Sequence, residues 1–162
     1  MSTHGNSIVR QVLTDPVHIL AFGLGTGLSP VAPGTVGSLL GVALAWLTFE
    51  LPLVMRVGAA IVLFVAGIWI CGASARKLGV HDHGGIVWDE ICGMYVTLLV
   101  APPHLASWIL GFLLLRAFDI FKPWPKRDLD HRMGVGMGIM KDDLVAAQYA
   151  AILMPYYSRL IT

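Results

Sequence analysis

Three groups of acids stand out in an otherwise oily chain: Asp89 with Glu90, Asp119 between Arg116 and Lys122, and Asp142 with Asp143. Arg116, Asp119 and Lys122 follow a spacing of three, which on a helix sets a carboxylate between two cations on roughly one face. The stretch from Arg116 to Asp143 holds six of the eleven Lys and Arg and five of the ten acids, so charge is gathered into one worksite. Carboxylates beside apolar, membrane-like segments are costly unless they are paired or bind a metal. Oxygen ligands completed by waters and substrate phosphate suit magnesium, and no His or Cys set competes for zinc. The plainer reading is that Asp142 only caps the last helix and Asp89 only pairs with Arg76 or Lys77. It serves for any one acid taken alone, but not for three clusters together.

Other patterns carry less. His81, Asp82 and His83 are neighbours without a distant partner and read as a solvated loop. Asp128, Leu129 and Asp130 match the D-x-D of haloacid dehalogenase-type phosphatases, but KPWPKR precedes them where that motif needs a buried strand. The glycines from Gly23 to Gly27 lack the G-K-[ST] of a phosphate-binding loop. Cys71 and Cys92 lie in or beside apolar runs and read as small core residues. Thr35 follows a Gly/Pro-rich loop and reads as the N-cap of a helix starting at Val36, whose open N–H groups can bind an anion such as phosphate.

The elements that must position these groups are helices in a membrane. The chain is 162 residues, 56% hydrophobic and 13% charged, outside the soluble range, and suits one domain. Its net charge of +1 leaves no basic stripe for nucleic acid, so lipids are the expected partners. No removable signal peptide is recognisable in MSTHGNSIVRQVLTD. We expect a short interfacial helix over 7–20, interrupted at Asp15 and Pro16, and then the Gly/Pro loop, together residues 1–35. Residues 36–162 are expected to form the membrane helices and the loops of the polar site. Runs 36–49 and 57–75 are uncharged and read as a hairpin closed by Arg76 and Lys77 on the cytoplasmic side. The run 91–115, apart from His104, is also uncharged, with Pro102 and Pro103 in its middle. A turn there returns Asp89, Glu90 and Asp119 to one face and gathers the cations on the cytoplasmic side. Pro123 and Pro125 must end the helix that carries Arg116, and Gly134, Gly136 and Gly138 read as loop freedom. A last apolar run, 144–154, leads to Pro155 and an aromatic pair at the far interface. The expectation is an all-α, polytopic integral membrane bundle of about four to five membrane helices with a cytoplasmic-side polar site.

Four blocks, GTGLSPVAPGTVGSLLG, IVWDEICGM, LLLRAFDIFKPWPKRDLDHR and GMGIMKDDLVAA, closely resemble bacterial phosphatidylglycerophosphatase A in this order. The resemblance covers nearly all of residues 22–149. It implies a magnesium-dependent, multi-pass phosphatase of the bacterial inner membrane, removing the terminal phosphate of phosphatidylglycerophosphate. It also implies a site built from Thr35, Ser38, Asp89, Glu90, Arg116, Asp119, Lys122, Asp142 and Asp143. Val135 stands where the family commonly has a second glycine. Such chemistry needs charge neutralised on phosphoryl oxygens, an in-line nucleophile and help for the leaving alkoxide. Magnesium on Glu90, Asp119 and one or both of Asp142 and Asp143, with Asp89 beside them, would supply the first two. Asp119, Glu90, Asp143 and Lys122 are the catalytic candidates; Thr35, Ser38, Arg116 and Lys122 are the substrate-binding ones. Thr35 can cap, bind phosphate or act as nucleophile, and capping and binding rank first. An oligomer is compatible with the sequence.

Two rival classes fit less well. A CDP-alcohol lipid phosphotransferase would carry a D-G, A-R and paired-Asp signature that is missing. A small transporter would place charge inside runs 57–75 and 91–115, which hold no acid or fixed cation. The topology is testable with cysteines engineered near Gly84 and near Asp130. Both should be labelled from the cytoplasmic side, and modification from opposite sides would overturn the turn at Pro102 and the shared site with it.

Overall fold

The computed structural model describes residues 3–80, 83–102, 104–121 and 135–161, with side chains described there except at 3–7, 142, 143, 151 and 154–161. These residues form helices α1 (Thr3–Thr14), α2 (Pro16–Ala21), α3 (Pro33–Leu47), α4 (Leu53–Leu78), α5 (Trp88–Leu99), α6 (Leu105–Phe121) and α7 (Val135–Ile161), with a 3-10 segment over Gly23–Leu28. No strand occurs among them.

The break at Asp15 divides the expected interfacial helix in two, and its cause is local. Asp15 caps α2, its Oδ1 accepting the N–H of Val17 at 2.9 Å, and Pro16 takes the first helical position, where no N–H is needed. The other Asp15 oxygen pairs with Lys77, so Lys77 serves the N-terminal helices rather than Asp89. α4 ends on Gly79 in the left-handed conformation, with Arg76 and Lys77 in its last turn where the helix dipole favours cations.

Helix α5 is the centre of the bundle. Ile91, Cys92, Gly93, Met94, Tyr95, Thr97 and Leu98 are all buried, so it is covered almost all round, chiefly by α3 and α7 and also by α4 and α6. Cys71 and Cys92 are both buried core residues, as expected. α5 ends at Leu99 and α6 starts at Leu105, two helices and not one kinked span, so Asp89, Glu90 and Asp119 come to one end of the bundle.

Helix α7 departs from expectation. It begins at Val135, so Gly136 and Gly138 are helical rather than loop, and Asp142 lies two turns inside and cannot be its cap. The reason is packing. A side-chain carbon on Gly136 would collide with the Ile68 carbonyl and stand 3.0 Å from Gly72, so glycine lets α7 close on the backbone of α4. Val135, in the position of the missing glycine, packs instead against the core cluster around Cys71 and Met140. The helix also continues through Pro155, accepting the loss of one backbone hydrogen bond.

Among the described residues one helix, α4, is long and apolar enough to cross a membrane: 26 residues, mean hydropathy 2.3 in its best window, and only 22% of that window buried. A core helix of a soluble protein would be mostly covered, whereas Val54, Ile61, Val62, Val65 and Trp69 lie open. α3, α5 and α6 are 15, 12 and 17 residues long, so the expected count of four to five spans exceeds the single helix that meets the requirement.

The clamp of α2 on α4 is pH-sensitive. His18 is buried, its Nδ1 sharing a 2.8 Å hydrogen bond with Ser74, between Asp15 and Lys77 on one side and the edge of Phe22 on the other. Burial pushes the His18 imidazole below its ordinary value, Asp15 opposes this and Lys77 adds to it. The folded form therefore holds fewer protons than the unfolded one, so stability is full above about pH 6.5 and is lost as pH falls through the folded value. Hydrogen exchange in Pro16–Ala21, corrected for intrinsic rates, should quicken on acidification, and His18→Gln should abolish that dependence.

Candidate active site

The start of α3 is set by Pro33, three residues earlier than expected, with Ala32 in a left-handed conformation (φ 46°) as the residue before it. Thr35 is thus a first-turn residue, not the N-cap, and its N–H returns to Ala32 O at 2.9 Å. Ser38 is fully buried one turn on, its hydroxyl donating to Gly34 O at 2.9 Å and bracing the same turn. A left-handed non-glycine residue costs energy and persists only where its surroundings hold it.

What meets this turn is acidic and basic at once. A side-chain carbon on Gly34 would collide with Glu90 Oε1 and stand 3.1 Å from Arg116 Nη2, so α3, α5 and α6 converge on one point. Arg116 reaches Asp119 one turn later on α6, Nη1 to Oδ2 at 3.1 Å, both side chains mostly covered at 14% and 17% exposure. The spacing of Arg116 and Asp119 therefore pairs them on one face, as expected.

Burial pushes the Glu90 carboxyl above the usual carboxylate range. The Asp119 charge pushes the same way, against a hydrogen bond from Asp89 and the charge of Arg116. The position of Asp89 and Glu90 in the first turn of α5 offsets part of this through the helix dipole. Glu90 Oε2 is buried without a hydrogen-bond partner among the described residues, and so is Nε of Arg116, while its Nη1 is taken up by the ion pair with Asp119. One carboxylate oxygen open to a cation, and a guanidinium N–H open to an anion, are what a cation-assisted phosphate site requires.

Among the described residues no three His, Cys, Asp or Glu side chains form a metal-binding group. Glu90 and Asp119 would need a further ligand. α7 packs on both α5 and α6, with Asp142 and Asp143 in its second and third turns, and their side chains lie outside the described set. Lys122 and the D-x-D positions Asp128 and Asp130 also lie outside it.

Of the HDH triplet, His83 is described: its Nδ1 accepts the N–H of Gly85 at 3.0 Å and its ring lies 5.4 Å from Phe22. It shapes the loop before α5 rather than floating in solvent. Sequence reasoning did not single out Gly34. The signal available was the Pro-Gly pair at the start of a helix beside a predicted anion site.

The family model of Phosphatidylglycerophosphatase A matches residues 19–157. The chain is 43% identical over 148 residues to "Phosphatidylglycerophosphatase A" of Escherichia coli (strain K12), covering 88% of this chain and 83% of the relative. It is 42% identical over 159 residues to the Haemophilus influenzae protein of the same name, covering 94% of each. A Bacteroides thetaiotaomicron protein, named as a candidate phosphatidylinositol-3-phosphatase, is 38% identical over 146 residues, covering 84% of this chain and 89% of that one. No solved structure matches.

Two glycines separate crowding from helix propensity. Gly34→Ala should lower the unfolding midpoint by an amount typical of overpacking, about 1–3 kcal/mol. Gly58→Ala in α4, where nothing lies within 4 Å of the new carbon, should stabilise by roughly 1 kcal/mol. Thermal or denaturant unfolding in detergent measures both, and equal effects would refute the convergence at Gly34.

Proposed function

The chain belongs to the phosphatidylglycerophosphatase A family, a family of phosphatases, and on that premise we propose that it hydrolyses phosphatidylglycerophosphate to phosphatidylglycerol and inorganic phosphate with magnesium. The observation that carries the reading is Arg116, whose buried Nε lacks a hydrogen-bond acceptor among the described residues while Nη1 pairs with Asp119 and Glu90 lies beside it. A phosphate beside these donors would gain charge-assisted hydrogen bonds in a site where water competes little.

Each residue then has a task. Glu90 and Asp119, completed by Asp142 or Asp143 with Asp89 alongside, would hold magnesium, the buried Oε2 of Glu90 being an atom suited to it. That ion, when bound, would draw charge from the phosphoryl oxygens and activate water. Arg116 binds the phosphoryl oxygens and keeps the group oriented. The N–H of Gly34, in the first turn of α3, adds a donor at the positive end of that helix. Thr35 binds from the same turn. Lys122 neutralises the charge that develops on the leaving glycerol oxygen. The water oxygen joins phosphorus as the phosphorus–alkoxide bond breaks, and a proton passes to the leaving oxygen.

The membrane setting is part of the reading. α4 spans the bilayer, the remaining apolar helices enter it beside α4, and the site faces the cytoplasm where Arg76 and Lys77 end α4. A lipid-anchored phosphomonoester reaches such a site in the plane of the membrane. Phosphatidylinositol 3-phosphate is the competing substrate to compare, given the third relative.

Phosphate release should be measured from phosphatidylglycerophosphate, phosphatidylinositol 3-phosphate and soluble glycerol phosphate, with and without magnesium. The first should be turned over fastest and only with the ion. Asp119→Asn should cost roughly 100- to 1000-fold in turnover, because it removes charge where the work is electrostatic. Asp128→Asn should cost little. If Asp119 were only a salt-bridge partner, its loss would cost at most about 1 kcal/mol of stability and spare turnover. Activity lost with Asp128→Asn but kept with Asp119→Asn would revive the haloacid dehalogenase reading.

A further inference from the structure

At the end of the bundle away from Glu90 and Arg116, a cavity of about 280 Å³ opens between the end of α3 and the start of α6, lined by Trp46, Phe49, His104, Leu105 and Trp108. Trp46 lies twelve residues beyond Gly34 on α3, roughly 18 Å along the axis at the helical rise. A headgroup held here is therefore out of reach of the site at Arg116.

Two unsatisfied donors stand at the cavity, one on its lining residue Trp108 and one on Arg56 behind the lining residue Phe49. Trp108 Nε1 is buried with no hydrogen-bond partner among the described residues, and so is Nε of Arg56. The two are joined by an aromatic wall: the Arg56 guanidinium lies 5.6 Å from the centre of the Phe49 ring, which meets Trp108 edge-on at 6.2 Å. Arg56 spends Nη2 on the Leu98 carbonyl at 3.5 Å, a long bond that leaves its charge uncompensated. Glu50, the nearest acid in sequence, is exposed and does not line the cavity. Donors shut away from water call for an acceptor, and a cation beside them favours an anionic one. The surroundings are apolar and open, with Trp46, Leu47, Val54 and Leu105 between 69% and 83% exposed. Tryptophan side chains, apolar in the ring and polar at the N–H, suit the depth of lipid phosphates and ester carbonyls.

From this juxtaposition we infer that the Trp108–Phe49 cavity, with Arg56 behind its Phe49 wall, is a second lipid site, taking one anionic glycerophospholipid of the leaflet opposite the active site. A phosphodiester oxygen would accept from the indole, the nearby Arg56 charge would favour its anionic form, and glycerol and upper acyl carbons would pack on the aromatic walls. The inference does not depend on the reaction proposed for the other end.

Native mass spectrometry of the full-length protein, released from detergent with phosphatidylglycerol or phosphatidylcholine added, tests it. Wild type should retain one phosphatidylglycerol per chain and bind phosphatidylcholine at least tenfold more weakly. Trp108→Phe, which keeps the ring and removes the N–H, and Arg56→Gln should each weaken retention about tenfold. Leu105→Trp, which fills the cavity, should abolish it. Asp119→Asn should leave it unchanged, so a lipid held at the active site is told apart from one held here. Trp69→Phe, on the open face of α4, controls for general lipid contact. Equal retention of the two lipids, or unchanged retention in both Trp108→Phe and Leu105→Trp, would overturn the site. So would loss of the lipid in Asp119→Asn, or a dimer occupying the cavity in place of lipid.

Discussion

The arrangement turns on burying the Glu90 carboxylate beside that of Asp119, with Arg116 as the counter-charge between them. Two like charges in a covered site repel, and one guanidinium cannot satisfy both and also saturate every oxygen and N–H. The remaining structure is arranged to hold them there nonetheless. α5 is packed against four other helices, which fixes the position of its first turn and so of Glu90. α6 fixes Arg116 and Asp119 one turn apart. α3 brings the bare backbone of Gly34 against both, with no side chain to push them apart.

Close approach of backbones is the second constraint. Gly136 lies against Ile68 and Gly72, Gly41 against Met94 and the Ile91 carbonyl, and Gly67 against Met140 and Trp88. These contacts draw α7 onto α4 and α3 onto α5 without bulky intermediaries. In a lipid setting, where apolar surface alone gives helices little reason to associate, such packing supplies much of the cohesion. The outward faces can then stay apolar, as α4 shows along Val54, Ile61, Val62 and Val65.

Much of this was legible in the chain because charge is scarce. Uncharged runs marked α3, α4, α5 and α6, and Pro102 marked the turn that brings Glu90 and Asp119 together. The three-residue spacing of Arg116 and Asp119 reads directly as an ion pair on one helix face. Helix starts were harder. Thr35 looked like a cap because capping residues are polar, but Pro33 can open a helix without a side-chain cap when Ala32 takes the left-handed conformation. The glycines before Asp142 looked like loop because isolated glycine disfavours helix, yet packing against α4 overrides that propensity. His83 looked solvated because its partner, Phe22, is remote in sequence.

The convergence at Gly34 joins residues from the first third of the chain to Glu90 and Arg116, much later in it. No early portion leaving the ribosome therefore contains even the rudiments of the site. Gly34 has neither Glu90 nor Arg116 beside it until α5 and α6 have both been made. Through most of synthesis the contact at Gly34 therefore has no counterpart, and it can form only once residues more than eighty positions downstream have been made.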